Sequence, residues 1–351
     1  MDDFLGAAYP NLAQNLPKLA IANLPTPVSR HELTLPQGTF DVVVKHDEAT
    51  SNTYGGNKVR KLEYLLRRAQ IRNAKRVATF GAVGSNHALA TAIHARSIGL
   101  ECTCFLAHQK QTPKIPYTLN MHHKLGTEIV AYGKSDERVP LYRHYLQGRD
   151  TWVIPLGGTC WLGSVGFVAA GLELAQQIAE GLLPKPKRIY IAAGTTGSVA
   201  GLVTGLAAAG LDTQVHAIQV ADNPFASEEK LHRLTAKTRE LLNRIDPSFE
   251  TEQRRDLLVW RDEFLAGGYA AVDAATSEAV ELARDSLGLA LETTYTGKAL
   301  AAMLHDLQAP DFSGAPCLFW NTCNAARLPV SAARPSSLRT IPKQFERYYL
   351  L

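Results

Sequence analysis

The chain has 351 residues, 46% apolar and 20% charged, and its 37 basic and 33 acidic side chains leave a formal net charge of 37 − 33 = +4. That length suggests about two domains, and a charge so small and evenly mixed argues against nucleic acid or a membrane surface as partner. The start, MDDFLGAAYPNLAQ, is acidic with no basic region ahead of an apolar stretch, and no apolar run reaches the roughly 18 residues that span a bilayer. Cytoplasm is the expected compartment. Cys102, Cys104, Cys160, Cys317 and Cys323 are odd in number and far apart, which argues against a disulfide framework or a metal site. Cys102 and Cys104 share one apolar run and are expected on the two faces of one strand.

The first informative stretch is SNTYGGNKVRKLEYLLRRAQ, residues 51–70. Val59, Leu62, Leu65, Leu66 and Ala69 recur at helical spacing, with Arg60, Lys61, Glu63, Arg67 and Arg68 falling elsewhere. Lys58 then sits in the first turn, where the helix dipole disfavours a protonated amine. Partial burial there lowers its pKa and makes it a better nucleophile. RVATF (76–80) reads as a strand, GAVGSN as a loop, HALATAIHARSIG as a helix closed by Gly99, and ECTCFLA (101–107) as the next strand. TEIVAY and TWVIPLGG continue the series, with helical stretches around 117–125 and 136–148. Past Pro184 and Pro186 come the strand RIYIAAG, the turn TTGS, the helix VAGLVTGLAAAG and the strand QVHAIQVAD. The charged stretch 227–256 is expected to be helical and external, and the proline-rich, then aromatic C-terminal segment to pack across the surface. Strands alternating with helices predict parallel sheets in a doubly wound α/β fold.

Two loops could hold anions. GSNH (84–87) offers free N–H groups and the Ser85 and Asn86 side chains at a helix start. It either caps the helix or binds a carboxylate, and does both only if a donor is left over. AAGTTGSVAG (192–201) directs N–H groups and the hydroxyls of Thr195, Thr196 and Ser198 toward one point, which suits a phosphate dianion. The alternative is a glycine-rich turn that packs close to the sheet. No Walker lysine follows it, and its glycines are not spaced as G-x-G-x-x-G. A nucleophilic lysine, a phosphate cup and a carboxylate cup are together what pyridoxal phosphate and an amino-acid substrate require. On that reading Gly55 and Gly56 let the backbone approach the cofactor.

GGNKVRKLEYL, GSNH, the glycine-rich turn, LETTYTGKA and GSVGF resemble the D-cysteine desulfhydrase / 1-aminocyclopropane-1-carboxylate deaminase family, from LPTPVSR (24–30) to FWNTCNAA (319–326). The resemblance implies a fold type II enzyme, similar to the tryptophan synthase β subunit, with pyridoxal 5'-phosphate between two parallel-sheet domains. The smaller domain would be 59–160, and the larger 1–58 with 161–351. It implies Lys58 as the Schiff-base lysine and Lys61 as a phosphate-holding lysine. Asn86 would bond the cofactor's ring hydroxyl, with Ser85, Asn86 and His87 beside the substrate carboxylate. Thr195, Thr196, Gly197 and Ser198 would form the phosphate turn, and Tyr269 and Tyr295 would be active-site tyrosines. A homodimer is also implied.

Two motifs depart from that pattern. The deaminases carry YEGK, with a glutamate facing the pyridine nitrogen; here it is YTGK, with Thr296. The desulfhydrases carry HTGG near the C-terminus; here Asn321, Thr322, Cys323 and Asn324 stand, keeping only the threonine. Trp161 and Trp320 flank matched motifs and either shape the pocket or belong to the core. With threonines in place of a carboxylate, α-carbanion stabilisation is weaker. The expected reaction is therefore α,β-elimination from a β-substituted, D-cysteine-like amino acid, giving a 2-oxo acid and ammonia. Lys58 would be the base, with Tyr295 or Tyr269 assisting. Alternatives are deamination or dehydration of another small amino acid on the same cofactor, a dinucleotide oxidoreductase using the strand that ends at Asp222, and a non-catalytic binding module.

Overall fold

The computed structural model describes residues 3–133, 138–146, 150–310, 312, 314–335 and 340–350. Two short helices, α1 (Phe4–Ala8) and α2 (Pro10–Asn15), precede a hairpin of β1 (Val28–Leu35) and β2 (Gly38–His46). Next come α3 (Asn57–Ile71), β3 (Arg76–Ala82), α4 (Asn86–Ser97), β4 (Glu101–Ala107), α5 (Ile115–Leu125), β5 (Glu128–Tyr132), α6 (Arg138–Leu146) and β6 (Thr151–Val153). The rest is α7 (Trp161–Ala179), β7 (Arg188–Ala193), α8 (Gly197–Ala208), β8 (Gln214–Gln219), α9 (Glu228–Ile245), β9 (Leu258–Arg261), α10 (Ala274–Leu287), α11 (Thr296–Leu307) and β10 (Cys317–Asn321). Of the helix expected at 136–148, residues 136, 137, 147 and 148 lie outside the described residues.

The strands form two sheets, one ordered β5-β4-β3-β6 and the other β1-β2-β10-β7-β8-β9. Every pair is parallel except β1 with β2, which run antiparallel. The fold is thus the expected α/β architecture, with an antiparallel edge hairpin that the strand–helix rhythm did not predict. The central strands are apolar on both faces because helices cover both. Cys102 and Cys104 are corrected by the same geometry. Residues two apart share a strand face, and both thiols are buried with their sulfurs 3.7 Å apart.

Helix α7 is long and apolar enough to cross a membrane, but 72% of its apolar window is buried inside the molecule. It packs on α8 at backbone range. A Cβ on Gly201 or Gly205 would lie 2.1 Å from Ser164 O or 2.3 Å from Val168 O. Trp320 is fully buried against Phe167, and neither it nor Trp161 lines the cavity described below. The expected helix at 227–256 ends at Ile245, where Asp246 turns extended ahead of Pro247. Its buried residues, Leu231, Thr235, Thr238 and Leu242, form one face, as an external helix requires.

The C-terminal segment does more than cross the surface. Ile341, Phe345 and Tyr348 are buried in the core beneath the four-stranded sheet, and the Tyr348 hydroxyl donates to Gln109 O and accepts from Gln109 N. Helix α3 is also more enclosed than its spacing suggests. Arg60, Lys61 and Glu63 are all buried, because α3 is wedged between α7 and α4. Arg60 meets Asp47 and Glu173, while Glu63 accepts from Lys18 and from the N–H groups of Ile21 and Ala22.

Candidate active site

The C-terminal ends of β3, β4, β7 and β8, and the residues just past β10, meet at a cavity of about 380 Å³. Such a crevice at the carboxyl ends of parallel strands is where open α/β folds bind ligands. Lys58 enters from the second position of α3, on a loop that glycine alone can form. Gly56 has φ of 98°, and a Cβ on it would lie 2.8 Å from Thr322 O. A Cβ on Gly55 would lie 2.0 Å from Glu48 O. These glycines therefore admit neighbouring backbone, which differs from the expected approach to a cofactor.

The Lys58 amine donates to Asn57 Oδ1 at 3.0 Å, and burial lowers its pKa to about 8. Lys61, one turn on, donates to Gly157 O at 3.2 Å. Burial first, and then the Lys58 charge, hold its pKa well below the ordinary value. Among the described residues neither amine pairs with a carboxylate. Two ammonium-forming groups thus share a cavity in which the bordering carboxylates, Glu292 and Asp222, pair with neither of them.

The counter-charge has a place to sit at the β7–α8 turn. Thr196 is the N-cap of α8 in the left-handed region, at φ 70°, and its buried hydroxyl has no partner. A threonine held there is strained. Gly197 leaves an opening that a Cβ would fill, 2.9 Å from Lys61 Nζ and 3.0 Å from Thr159 Oγ1. Thr195 bonds Thr159 at 2.6 Å, and Ser198 accepts from Asn57 at 3.0 Å, which ties the turn to the start of α3. A strained, orphaned hydroxyl, free helix N–H groups and an unpaired lysine are the donor set a phosphate dianion needs.

At the start of α4, Ser85 accepts from Ala88 N at 3.2 Å as N-cap, so its own proton is left over for a ligand. His87 is held neutral by burial and by the charges of Lys58 and Lys61. The Thr79 hydroxyl donates to Ile154 O, so His87 Nε2 donates to Thr79 at 2.8 Å, which leaves Nδ1 as the acceptor end of the ring. Asn86 receives Tyr54 and Lys114 at its oxygen. Across the cavity the Tyr269 and Tyr295 hydroxyls lie 2.6 Å apart. Burial raises both, Tyr269 to about 12, so both are protonated at neutral pH.

All the expected site residues line this cavity except Thr296. Its hydroxyl and N–H instead meet Glu292 Oε1, at 3.2 and 2.9 Å. The physical reason is capping: the Glu292 carboxylate folds over the start of α11 and accepts from the N–H groups of Thr294, Tyr295 and Thr296. Glu292 lines the cavity and was missed: readable caps put the carboxylate at the N-cap or in the first turn, and this one lies three residues before the N-cap Tyr295. Asp222 borders the cavity and accepts from Tyr269 N at 3.1 Å. Gln109, which accepts from Gly84 N, and Lys114 had no local signal, since distant chain segments bring them there.

Fold and cavity together are those of a two-domain α/β enzyme that binds an anionic cofactor beside a nucleophilic lysine. Residues 20–322 match the family model for pyridoxal-phosphate dependent enzymes. D-cysteine desulfhydrase of Salmonella choleraesuis (strain SC-B67) is 32% identical over 324 residues, 89% of this chain and 95% of that protein. The same figures hold for D-cysteine desulfhydrase of Salmonella newport (strain SL254). Among solved structures, an ACC deaminase homologue superposes with TM-score 0.76 at 27% identity, covering 93% of this chain and 96% of that one. The threonine deaminase of T.th. shares the fold, with TM-score 0.62 at 19% identity over 92% of this chain and 98% of that one. The chain belongs to the pyridoxal-phosphate dependent enzyme family, and pyridoxal 5'-phosphate is its cofactor.

Proposed function

We propose that this pyridoxal-phosphate-dependent lyase eliminates the β substituent of a D-cysteine-like amino acid, giving a 2-oxo acid and ammonia, with sulfide when cysteine is the substrate. The observation that carries it is the pairing of Lys58, lowered to about 8, with two tyrosines that stay protonated in the same cavity. Bound there, the cofactor supplies electron withdrawal at the substrate's α-carbon. Lys58 is its covalent attachment point and, once released, accepts the α-proton at Nζ. The electron pair left behind forms the Cα–Cβ double bond as the β substituent departs with its own bonding pair. Tyr295 or Tyr269 gives that leaving group its proton. The resulting enamine takes up a proton at Cβ, and water then displaces its nitrogen, giving the 2-oxo acid and ammonia. Lys61, Thr195, Thr196, Gly197 and Ser198 hold the phosphate. Asn86 donates to the ring oxygen, and Ser85 with the α4 N-terminus receives the substrate carboxylate. His87, being neutral, orients and adds no charge.

Thr322, which lines the cavity, is the neutral hydroxyl proposed for the pyridine nitrogen; Thr296 is too far inside the α11 cap to share that role. A second reading is deamination of another small amino acid, 1-aminocyclopropane-1-carboxylate or a 3-hydroxy amino acid. The Glu292 carboxylate in the cavity wall favours it, but three backbone N–H groups already occupy its oxygens. We place the smaller domain at 59–160 and the larger at 1–58 with 161–351, in line with the four-stranded sheet falling wholly between Arg76 and Val153. A homodimer is proposed on the family resemblance, and the cytoplasm on the five scattered, unbridged cysteines.

The test is a panel of both cysteine enantiomers, β-chloroalanine, serine and 3-hydroxy amino acids beside 1-aminocyclopropane-1-carboxylate, with ammonia and 2-oxo acid quantified. A β-substituted amino acid should turn over fastest, because each 1.4 kcal/mol of weaker carbanion stabilisation slows a substrate lacking a good leaving group about tenfold. Faster turnover of the cyclopropane than of every other compound would overturn the reading.

A further inference from the structure

Asn86 has two partners, and both reach the same atom. Tyr54 Oη donates to Asn86 Oδ1 at 3.0 Å and Lys114 Nζ at 2.6 Å. An amide can be turned over without changing its shape, so which end faces a neighbour needs an argument. Lysine settles it here, because an ammonium has three donors and no acceptor. The atom it touches must be the oxygen. Burial keeps the Tyr54 hydroxyl protonated, and it too acts as donor. The Asn86 Nδ2 donors lie on the other branch of the planar amide. They have no hydrogen-bond partner among the described residues, and Asn86 borders the cavity.

We propose that Lys114 is a positioning residue which, with Tyr54, fixes the Asn86 amide so that its N–H donors meet an anionic ring oxygen of the bound cofactor. This rests on the reading of Asn86 as the cofactor's partner. Lys114 is the N-cap residue of α5, Tyr54 lies on the glycine loop before α3, and Asn86 opens α4. Three segments of the chain thus converge on one amide. Lys114 also places a positive charge at the far end of that amide, which strengthens its N–H donors. The other titratable groups at this corner are Lys58 on α3, His94 on α4, Glu48 before the glycine loop, and Cys323 and Glu292 from the larger sheet's side. The His94 ring bonds Tyr54 O at 3.0 Å, and burial keeps it neutral. Burial first, with Glu292 and Glu48 adding and Lys114 opposing, pushes the Cys323 thiol up to about 12, so it brings no charge.

The experiment records absorbance spectra of the holoenzyme from pH 6 to 10 for wild type, Lys114→Met, Lys114→Arg, Tyr54→Phe and Asn86→Ala. Removing a positive charge and freeing the amide to turn over both favour the protonated form of the bound cofactor. Lys114→Met should therefore shift the balance of its two absorption bands toward the long-wavelength form at every pH, by about one pH unit of midpoint. Lys114→Arg keeps charge and donor and should stay near wild type, and Tyr54→Phe should move in the same direction by less. A role in folding alone would lower the melting temperature without moving the bands. Should the Met variant fail to fold, Lys114→Gln replaces it. Lys114→Met spectra that superimpose on wild type throughout would overturn the proposal. If Asn86→Ala shifts the bands in that case, only the role of Lys114 falls; if Asn86→Ala is also silent, the reading of Asn86 falls with it.

Discussion

At the scale of single residues, Lys58 carries the chemistry and a folding cost together. Burial lowers its pKa from 10.5 to about 8, so in the folded, cofactor-free protein the charged amine is disfavoured. Between pH 8 and 10.5 the unfolded chain binds the extra proton, so this group adds stability as pH rises through that window and opposes folding below it. Replacing Lys58 with Met should stabilise the cofactor-free protein at pH 7 by about 1 to 3 kcal/mol, the range reflecting partial access to water. The difference should shrink toward pH 10. Urea unfolding of the two proteins at pH 7 and pH 10 checks this, and a gain that is flat with pH would contradict it. Lys58 was legible because its motif is local: a glycine pair, an asparagine and a helix start. Thr195 to Ser198 were legible for the same reason. Glu292 and Lys114 were not, since one hides in a cap and the other acts across 28 residues of chain.

Among the elements, α3 does the positioning. Its dipole and spacing were readable, but its charged residues were not, because whether an arginine faces water depends on what packs beside it. Arg60 is fully buried and bonded to Asp47 and Glu173, and Lys45 reaches the same Glu173 oxygen at 2.5 Å. The network joins β2, α3 and α7 directly behind Lys58. Burial opposes the charge on Glu173, but Arg60 and Lys45 outweigh it and hold the pKa near 2. The stability it contributes is therefore present above the unfolded carboxylate range and lost as pH falls from about 4.5 toward 2. Glu173→Ala leaves Arg60 and Lys45 sharing one carboxylate and should destabilise the protein by about 3 to 5 kcal/mol. Chemical denaturation measures this directly. A loss below about 1 kcal/mol would show that the network does not hold α3 in place. The β1–β2 hairpin was missed for a different reason: a strand–helix rhythm reports crossovers, and an antiparallel edge has none.

On the scale of the whole molecule, parallel sheets were predictable, because alternation of strand and helix forces them; that two of them meet at one cavity was what the family resemblance implied. The strap that joins them was not predictable. Residues 341–349 leave the larger sheet's end of the chain and bury Phe345 and Tyr348 under the smaller sheet. From there Tyr348 holds Gln109, and Gln109 holds Gly84, just ahead of Ser85 and Asn86. An aromatic tail gives no sign in sequence of which distant core it will enter. That the cavity between the sheets seats the cofactor on Lys58 is tested most directly by reducing the yellow holoenzyme with borohydride and mapping the modified peptide by mass spectrometry. A single cofactor-sized adduct on Lys58, with loss of the visible band, is the predicted result. An adduct on Lys61 or elsewhere, or a visible band that survives in Lys58→Ala, would contradict it.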